Sequence, residues 1–511
     1  MSTTAELQPG GMTLAVIGAG VMGRGIARMA AQAGTPVVLY DAHEGAAAQA
    51  LDELAAAWNT ASAKGRITRE DASAAMARVT IATQLSELQH ATLVIEAINE
   101  DLPAKQALFS ALEGIVSAKC VLATNTSSLS VTSIAAACDS PERVVGLHFF
   151  NPVHAMKLVE VIDGARGDRA VGDAMMRFVQ QLGHTAVRVR DTPGFLVNHA
   201  GRGYGTEALR IISESVAEPA VIDTILREQA GFRLGPFELF DLVGLDVSVP
   251  VMESVYRQFW DEPRFRPSPL LVQRRAAGLL GVRSGEGFYR YVDGRREVTA
   301  VRVPPRRDTP AIWVSRAEPW LAGATLELLQ GLGVDAETGE RPTDDAICVV
   351  TPVGTDVTTC CVAEGLDPVR TVALDMLFSN ATHRTLMLSP VTATAVREQM
   401  ESVLTTDGHG VSTIHDSVGL VAQRVVAMII NIGCDIAQQG IAAPADLDLA
   451  VRVGLNYPRG PLAWGDFIGP AVVERVLSGM HALTGDPRYR VSPFLRRRAA
   501  LGVSLAGEFT I

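Results

Sequence analysis

The sequence is poor in cysteine and lacks the histidine spacings of metal sites. Six cysteines occur in 511 residues, none of them in a CxxC pair, and the ten histidines include no HxxxH or HExxH. These spacings predict neither a disulfide framework nor a metal site. A reducing cytoplasm is therefore the expected compartment.

Long apolar runs and an excess of positive charge are missing as well. The most apolar stretch, Val421 to Ala437, is interrupted by Arg424 and Asp435 and is typical of a buried helix rather than a membrane span. The 45 Lys and Arg against 56 Asp and Glu give a net charge of −11, which argues against a general nucleic-acid binder. Residues 1–11 contain no basic residue and no apolar core, so no secretory signal is expected.

The first part of the chain alternates between strand and helix patterns. The apolar run Leu14 to Ile17 leads into a glycine turn and a helical stretch, and a second strand pattern ends at Asp41. Further apolar runs follow at 79–81, 93–97, 121–124 and 144–148, with alanine-rich stretches between them. This alternation predicts an α/β domain over residues 12–191, with a doubly wound parallel sheet of the Rossmann type.

The rest of the chain contains a repeat. One offset of 225 residues relates Gly194 to Gly419 and Asp241 to Asp466, and it also relates the pairs Asp223 and Asp448, Gly235 and Gly460, and Gly244 and Gly469. The repeat predicts a mostly α-helical domain in two copies, over residues 192–292 and 414–511. Residues 293–413 between the copies are interpreted as a linker followed by a small α/β insert with strands near 346–350 and 369–373.

The glycine turn predicts a dinucleotide site. Gly18 makes the tight turn, Gly20 allows backbone N–H groups to approach a pyrophosphate, and Gly23 lets the helix pack against the strand. Val21 and Met22 begin the helix, whose N-terminus favours phosphate. Asp41 suits a ribose diol and repels a 2′-phosphate, which favours NAD over NADP. The alternative is that the glycines form only a close-packed turn and that Asp41 is a solvated strand end.

Polar residues cluster beyond the later strands of the predicted sheet. Ser127 follows the strand 121–124, and His148 ends the next strand, so both are expected in one crevice at the carboxyl edge of the sheet. Glu160 stands in the otherwise apolar run 157–162, where an ionisable group requires a partner. Imidazole is suited to exchange a proton near neutral pH, as the oxidation of a secondary alcohol requires.

At this point the sequence resembles a known family. The runs NTSSLS (125–130), GLHFFNP (146–152), KLVEV (157–161) and DTPGFLVN (191–198), with the glycine turn, are similar to the signatures of L-3-hydroxyacyl-CoA dehydrogenases. The duplicated C-terminal domain resembles the longer members assigned to phenylacetate catabolism or to 3-hydroxybutyryl-CoA oxidation. The resemblance implies oxidation, with NAD, of the 3-hydroxyl of a short-chain or dicarboxyl (3-hydroxybutyryl- or 3-hydroxyadipyl-) CoA.

The resemblance also implies roles for individual residues. His148 would be the general base and Glu160 its partner, while Ser127 and Asn198 would position the substrate oxygens. Glu100 would contact the nicotinamide ribose, Lys105 a ribose or CoA phosphate, and Asn125 the cofactor. For Glu100 and Lys105, a solvated helix start is the alternative.

Two other functions stay open at this stage: an NAD-binding relative without turnover, and a hydroxyacid dehydrogenase that does not use CoA. The second helical copy places Gln423 where the first has Asn198, and Ile432 where the first has Glu207. One active site per chain is therefore expected. The second copy is interpreted as a packing partner in an internal pseudo-dimer, with a homodimer as the alternative.

Overall fold

The computed structural model describes residues 12–297, 305–378 and 382–507. The chain forms two compact units. The first contains the described residues up to His199 together with Ile436–Leu455, and the second contains Ala200–Asp435 together with the described residues from Asn456 onward.

An eight-stranded sheet forms the centre of the first unit. Its strands are β1 (Leu14–Ile17), β2 (Val37–Tyr40), β3 (Val79–Ile81), β4 (Leu93–Glu96), β5 (Val121–Thr124), β6 (Val144–Phe149), β7 (Leu158–Asp163) and β8 (Thr185–Arg190). The strand order is β3-β2-β1-β4-β5-β6-β7-β8. Strands β1, β4, β5 and β6 are buried at every position, because helices cover both faces of such a sheet. The Rossmann-type fold class is confirmed.

One part of the sheet differs from the prediction of a purely parallel arrangement. Strand β7 runs antiparallel to β6, and β8 runs parallel to β7. The connection 150–157 between β6 and β7 is too short for the crossover that a parallel pair needs. This reversal places residues of β6 and β7 directly opposite each other.

The helices of the first unit are α1 (Val21–Gln32), α2 (Ala46–Ala63), α3 (Arg69–Ala77), α4 (Leu102–Glu113), α5 (Val131–Ala135), α6 (Arg169–Gln181) and α7 (Val197–Ala200). The second helical copy also contributes a segment to this unit. Ile441 accepts a hydrogen bond from the backbone of Arg190 at 2.8 Å, and Gly454 approaches Leu158 so closely that a Cβ there would lie 2.8 Å from it.

The second unit holds the remaining helices: α8 (Arg202–Ser213), α9 (Pro219–Glu228), α10 (Pro236–Val243), α11 (Leu245–Gln258), α12 (Pro269–Ala276), α13 (Pro319–Gly331), α14 (Val357–Glu364), α15 (Thr394–Leu404), most of α16 (Val421–Gln438), α18 (Pro461–Ile468), α19 (Pro470–Thr484) and α20 (Pro493–Leu501). Helix α17 (Pro444–Leu455) lies in the first unit. The two helical copies touch through α8 and α16, where Gly203 faces Ile429 and Ile432.

A buried ion network joins the two helical copies. Arg424 on α16 is fully buried and lies 2.7 Å from both Glu207 and Glu214 of α8 and its end. The hydroxyl of Tyr489 also donates to Glu207 at 2.9 Å. Because every charge in this network is paired, its burial is compatible with a stable fold.

The insert forms a second sheet of five strands: β11 (Ile312–Val314), β12 (Ile347–Val350), β13 (Thr371–Leu374), β14 (His383–Leu388) and β15 (Gly410–Ile414), in that order. A two-stranded ribbon, β9 (Tyr291–Val292) and β10 (Arg295–Arg296), precedes it. Within the described ranges, no helix is long and apolar enough to cross a membrane.

Candidate active site

The centre of the site is a histidine–carboxylate pair on neighbouring strands. His148 of β6 and Glu160 of β7 are direct cross-strand partners, and Nδ1 of His148 lies 2.5 Å from Oε2 of Glu160. Both side chains are buried, with 6% of His148 and none of Glu160 exposed. The sequence-predicted pair is therefore brought together by the antiparallel reversal of β7.

The second oxygen of Glu160 is held by backbone. Oε1 accepts hydrogen bonds from the N–H groups of Leu196 at 2.9 Å and Val197 at 2.8 Å. The chain reaches this position through Phe195, whose φ of 50° is unusual for a residue other than glycine. Two backbone donors stabilise an ionised carboxylate and fix its orientation. The sequence gave no direct sign of these two donors.

These contacts fix how the imidazole is used. With Nδ1 donating to Glu160, Nε2 is the nitrogen left for chemistry, and no group in the described part of the chain hydrogen-bonds it. The rings of Phe150 and Phe195 lie 4.3 and 5.8 Å from the imidazole and flank it. The arrangement can accept a proton at Nε2 and stabilise the resulting cation through Glu160.

The loop after β5 lies beside this pair. Asn125 accepts a hydrogen bond from the backbone of Phe149 at 2.9 Å, which ties the loop to the residue next to His148. Ser127 follows two residues later, and its hydroxyl lies 3.4 Å from Oε1 of Glu100. The structure therefore brings Asn125 and Ser127 to the carboxyl edge of the sheet, as the sequence predicts.

Glu100 is an acceptor for the same loop. Its Oε1 receives hydrogen bonds from the Thr126 hydroxyl at 2.7 Å and from the backbone of Ser127 and Ser128 at 2.9 and 3.1 Å. Burial alone would raise the pKa of the Glu100 carboxyl, but the hydrogen bond from Thr126 and the charge of Lys105 outweigh it, and the pKa is lowered. Glu100 is thus a carboxylate that joins the ends of β4 and β5.

Lys105 is placed differently from the expectation that it meets a phosphate. Its side chain is 1% exposed, and its ammonium lies 2.5 Å from Glu96 and 3.3 Å from Glu100. Glu96 also accepts from the hydroxyl of Thr124 and the backbone of Ile98, both at 2.7 Å. An ammonium enclosed by two carboxylates is not open to a phosphate. Sequence reasoning missed Glu96, although its place in the apolar run 93–97 is the same signal that singled out Glu160.

The glycine turn is sterically required. Gly18 has a φ of 102°, and a Cβ there would lie 2.5 Å from the carbonyl oxygen of Ala97. A Cβ at Gly23 would overlap the carbonyl of Gly18, whereas a Cβ at Gly20 would meet nothing within 4 Å. Gly20 therefore borders open space at the start of α1, where no side chain caps the helix and Val21 is exposed. This cradle of backbone N–H groups fits a pyrophosphate.

Asp41 completes the nucleotide side of the site. One carboxylate oxygen accepts from the backbone of Ala19 at 2.7 Å and the other from the backbone of His43 at 2.9 Å. Burial acts to raise the pKa of Asp41, but these hydrogen bonds prevail and lower it. An ionised carboxylate beside the glycine turn fits a ribose diol, so the residues present fit NAD. Met22 lies half-buried in the first turn of α1.

Asn198 lies on α7, directly after the backbone donor Val197, and is half-buried. Its position in the chain therefore keeps it close to Glu160. In the described residues, no group of three or more His, Cys, Asp or Glu side chains is placed to hold a metal ion.

Comparisons with known proteins agree with this geometry. The family model of the 3-hydroxyacyl-CoA dehydrogenase NAD-binding domain matches residues 13–192. The model of the 3-hydroxyacyl-CoA dehydrogenase C-terminal domain matches twice, over residues 194–291 and 419–504.

Individual relatives extend the match over most of the chain. The 3-hydroxyadipyl-CoA dehydrogenase of Escherichia coli K12 is 38% identical over 96% of this chain and 98% of its own length. The human mitochondrial hydroxyacyl-coenzyme A dehydrogenase is 37% identical over 54% of this chain and 90% of its own.

A solved structure covers the same extent. The crystal structure of 3-hydroxybutyryl-CoA dehydrogenase from Escherichia coli K12 superposes with a TM-score of 0.84 and 36% identity, covering 96% of this chain and 98% of that one. The chain therefore belongs to the 3-hydroxyacyl-CoA dehydrogenase family of NAD-dependent oxidoreductases.

Proposed function

We propose that His148 is the general base that removes the proton from the 3-hydroxyl of an L-3-hydroxyacyl-CoA while the substrate becomes the 3-oxoacyl-CoA. The observation that carries this proposal is the buried pair in which Glu160 accepts from Nδ1 at 2.5 Å and leaves Nε2 available. NAD, when bound, supplies the acceptor for the hydride that leaves carbon 3. Glu160 keeps the imidazole in one tautomer and stabilises the imidazolium.

The remaining residues act on binding and orientation. Ser127 and Asn198 hold the substrate oxygens next to Nε2, where hydrogen-bond donors stabilise the developing carbonyl. Glu100 accepts from the nicotinamide ribose, and Asn125 supports the cofactor from the same loop. Gly18, Gly20, Val21, Met22 and Gly23 form the pyrophosphate cradle, and Asp41 accepts from the adenosine ribose. Lys105 acts indirectly, by holding Glu100 through its ion pair at 3.3 Å.

The acyl group is proposed to be short or to carry a distal carboxylate. The supporting observation is that the relative and the solved structure that match almost the whole chain are named 3-hydroxyadipyl- and 3-hydroxybutyryl-CoA dehydrogenases. We also propose a cytoplasmic enzyme organised as 12–191, 192–292, 293–413 and 414–511, with the two helical copies acting as an internal pseudo-dimer.

The test is reduction of acetoacetyl-CoA followed by NADH absorbance. His148→Gln should lower kcat by about a thousandfold, within the range for loss of a general base. His184→Gln is the matched control, because His184 is an equally buried histidine of the same unit that only bonds the carbonyls of Leu182 and Val153. Equal activities of the His148 variant and the wild type would contradict the proposal. Activity on free hydroxyacids but not on thioesters would favour a dehydrogenase that does not use CoA.

A further inference from the structure

The insert repeats the strand arrangement of half the dinucleotide-binding sheet. In the first sheet β4, β5 and β6 are parallel, β7 is antiparallel to β6, and β8 is parallel to β7. Strands β11 to β15 of the insert have the same order and the same directions. The family models leave residues 292–418 unmatched. Agreement in five strands, including the position of the reversal, relates the insert to residues 93–190.

Helix capping agrees in the same register. Asp191 accepts from the backbone of Val131 and Thr132 at the start of α5, at 3.1 and 2.7 Å. Asp416, which lies 225 residues after Asp191, accepts from Val357 and Thr358 at the start of α14, at 2.9 and 3.3 Å. The offset of the helical repeat therefore continues back through the insert.

The catalytic positions are replaced in the second sheet. Counting from the paired strand ends, Asp375 takes the position of His148, and its backbone N–H donates to the carbonyl of Thr385, which takes the position of Glu160. Gln423, at the position of Asn198, donates to Asp375 at 3.1 Å. Among the described residues, no strands equivalent to β1–β3 and no glycine turn accompany this sheet. The second sheet thus keeps one mononucleotide half without a phosphate cradle and without the catalytic pair.

A cavity of 440 Å³ lies where this half would bind a ligand, at the carboxyl ends of β11 and β12. Its floor is apolar and includes Val350, Pro352 and Val353. Thr351 also lines it, is 4% exposed, and makes no side-chain hydrogen bond to any described residue. This buried hydroxyl occupies the position that corresponds to Asn125.

The charges around the cavity restrict the ligand. Glu318 is neutralised by Arg475 at 2.8 Å. Glu364 accepts from the Ser315 hydroxyl at 2.5 Å and has no cationic partner among the described residues. The cavity therefore carries one uncompensated negative charge, which disfavours phosphate esters and favours neutral or cationic ligands with hydroxyl donors.

We propose that this cavity is a second, non-catalytic ligand site that takes a nucleoside without phosphate, with nicotinamide riboside as the cationic prototype. Its ring would lie on the apolar floor, and its hydroxyls would meet Thr351 and Glu364. The site is independent of the reaction proposed at His148.

The test is equilibrium dialysis of the full chain with nicotinamide riboside, in the presence of excess NADH so that the first site is occupied. We expect one equivalent to bind at millimolar concentration, and nicotinamide mononucleotide to bind about tenfold more weakly because its phosphate faces Glu364. Thr351→Val and Glu364→Gln should each weaken binding about tenfold, as for the loss of one buried hydrogen bond. Glu340→Gln, at an exposed position of the same domain, is the matched control and should bind as the wild type does.

Cys360 locates the ligand. It lines the cavity, and it is the one cysteine that is not buried among the six of the sequence, all of which lie in described ranges. Burial raises the pKa of its thiol to about 12, so alkylation by iodoacetamide is slow and is best followed at alkaline pH. Riboside should slow this alkylation further in the wild type but not in Thr351→Val. Absence of binding, or binding that both cavity variants leave unchanged, would overturn the proposal.

Discussion

The two sheets of this chain share a topology but differ at the positions where chemistry occurs. In the first, the reversal between β6 and β7 sets His148 against Glu160, and both oxygens of the carboxylate are occupied. In the second, the same reversal sets Asp375 against Thr385, and one oxygen of Asp375 is buried without a hydrogen-bond partner. The scaffold alone therefore does not make the active site, which depends on a paired acid and base at two register positions.

The largest expected effect separates the two sheets by activity. Glu160→Gln should lower kcat by a few hundredfold or more, about two to three powers of ten, because the imidazolium loses its counter-charge. Thr385→Val, at the corresponding position of β14, should leave kcat unchanged. Steady-state kinetics of both variants check the prediction. A large loss of kcat in the Thr385 variant would show that the second sheet takes part in turnover.

The next effect concerns the contact between the two helical copies. Arg424→Met should lower the free energy of unfolding by about 3 kcal/mol, because Glu207 is left charged and buried without its partner. Arg283→Met is the control, since Arg283 and Asp246 are both exposed and their pair contributes at most about 1 kcal/mol. Urea unfolding of the two variants measures the difference. Adding Glu207→Gln to Arg424→Met should recover much of the loss, and no recovery would contradict the explanation.

The smallest of these effects is a pH dependence of the second sheet. Burial raises the pKa of Asp375 to about 6, above the value of about 4 expected in the unfolded chain. The folded state therefore binds the proton more tightly, and this contribution to stability is complete below pH 4 and is lost as the pH rises through 6. Asp375→Asn should reduce this loss by about 2 kcal/mol between pH 4 and 8. Thermal midpoints across this range test the prediction, and an unchanged slope in the variant would refute it.

The sequence predicts the parts of this molecule that depend on local pattern. The glycine turn, the strand ends with Ser127 and His148, and the repeat of the helical domain are all readable because each follows a short motif or a constant offset. Glu160 is readable because a carboxylate in an apolar strand requires a partner.

Features that depend on distant partners were not predictable in the same way. Strand β14 begins with His383, Arg384 and Thr385, and these polar residues are accommodated by partners such as Asp407, 2.6 Å from Arg384. The burial of Lys105 depends on Glu96, which lies nine residues earlier on another element. The placement of α17 in the first unit depends on packing against Leu158 and Val197, and no local pattern reports such a contact.

The central claim is that only the first of the two related sheets binds the dinucleotide and supports turnover. Titration of the full chain with NADH, followed by the change in nicotinamide fluorescence and evaluated for stoichiometry, tests it most directly. The account predicts one NADH per chain, and an Asp41→Ala variant should lose most of this binding. Two equivalent NADH molecules per chain, or unchanged binding in the Asp41 variant, would contradict it.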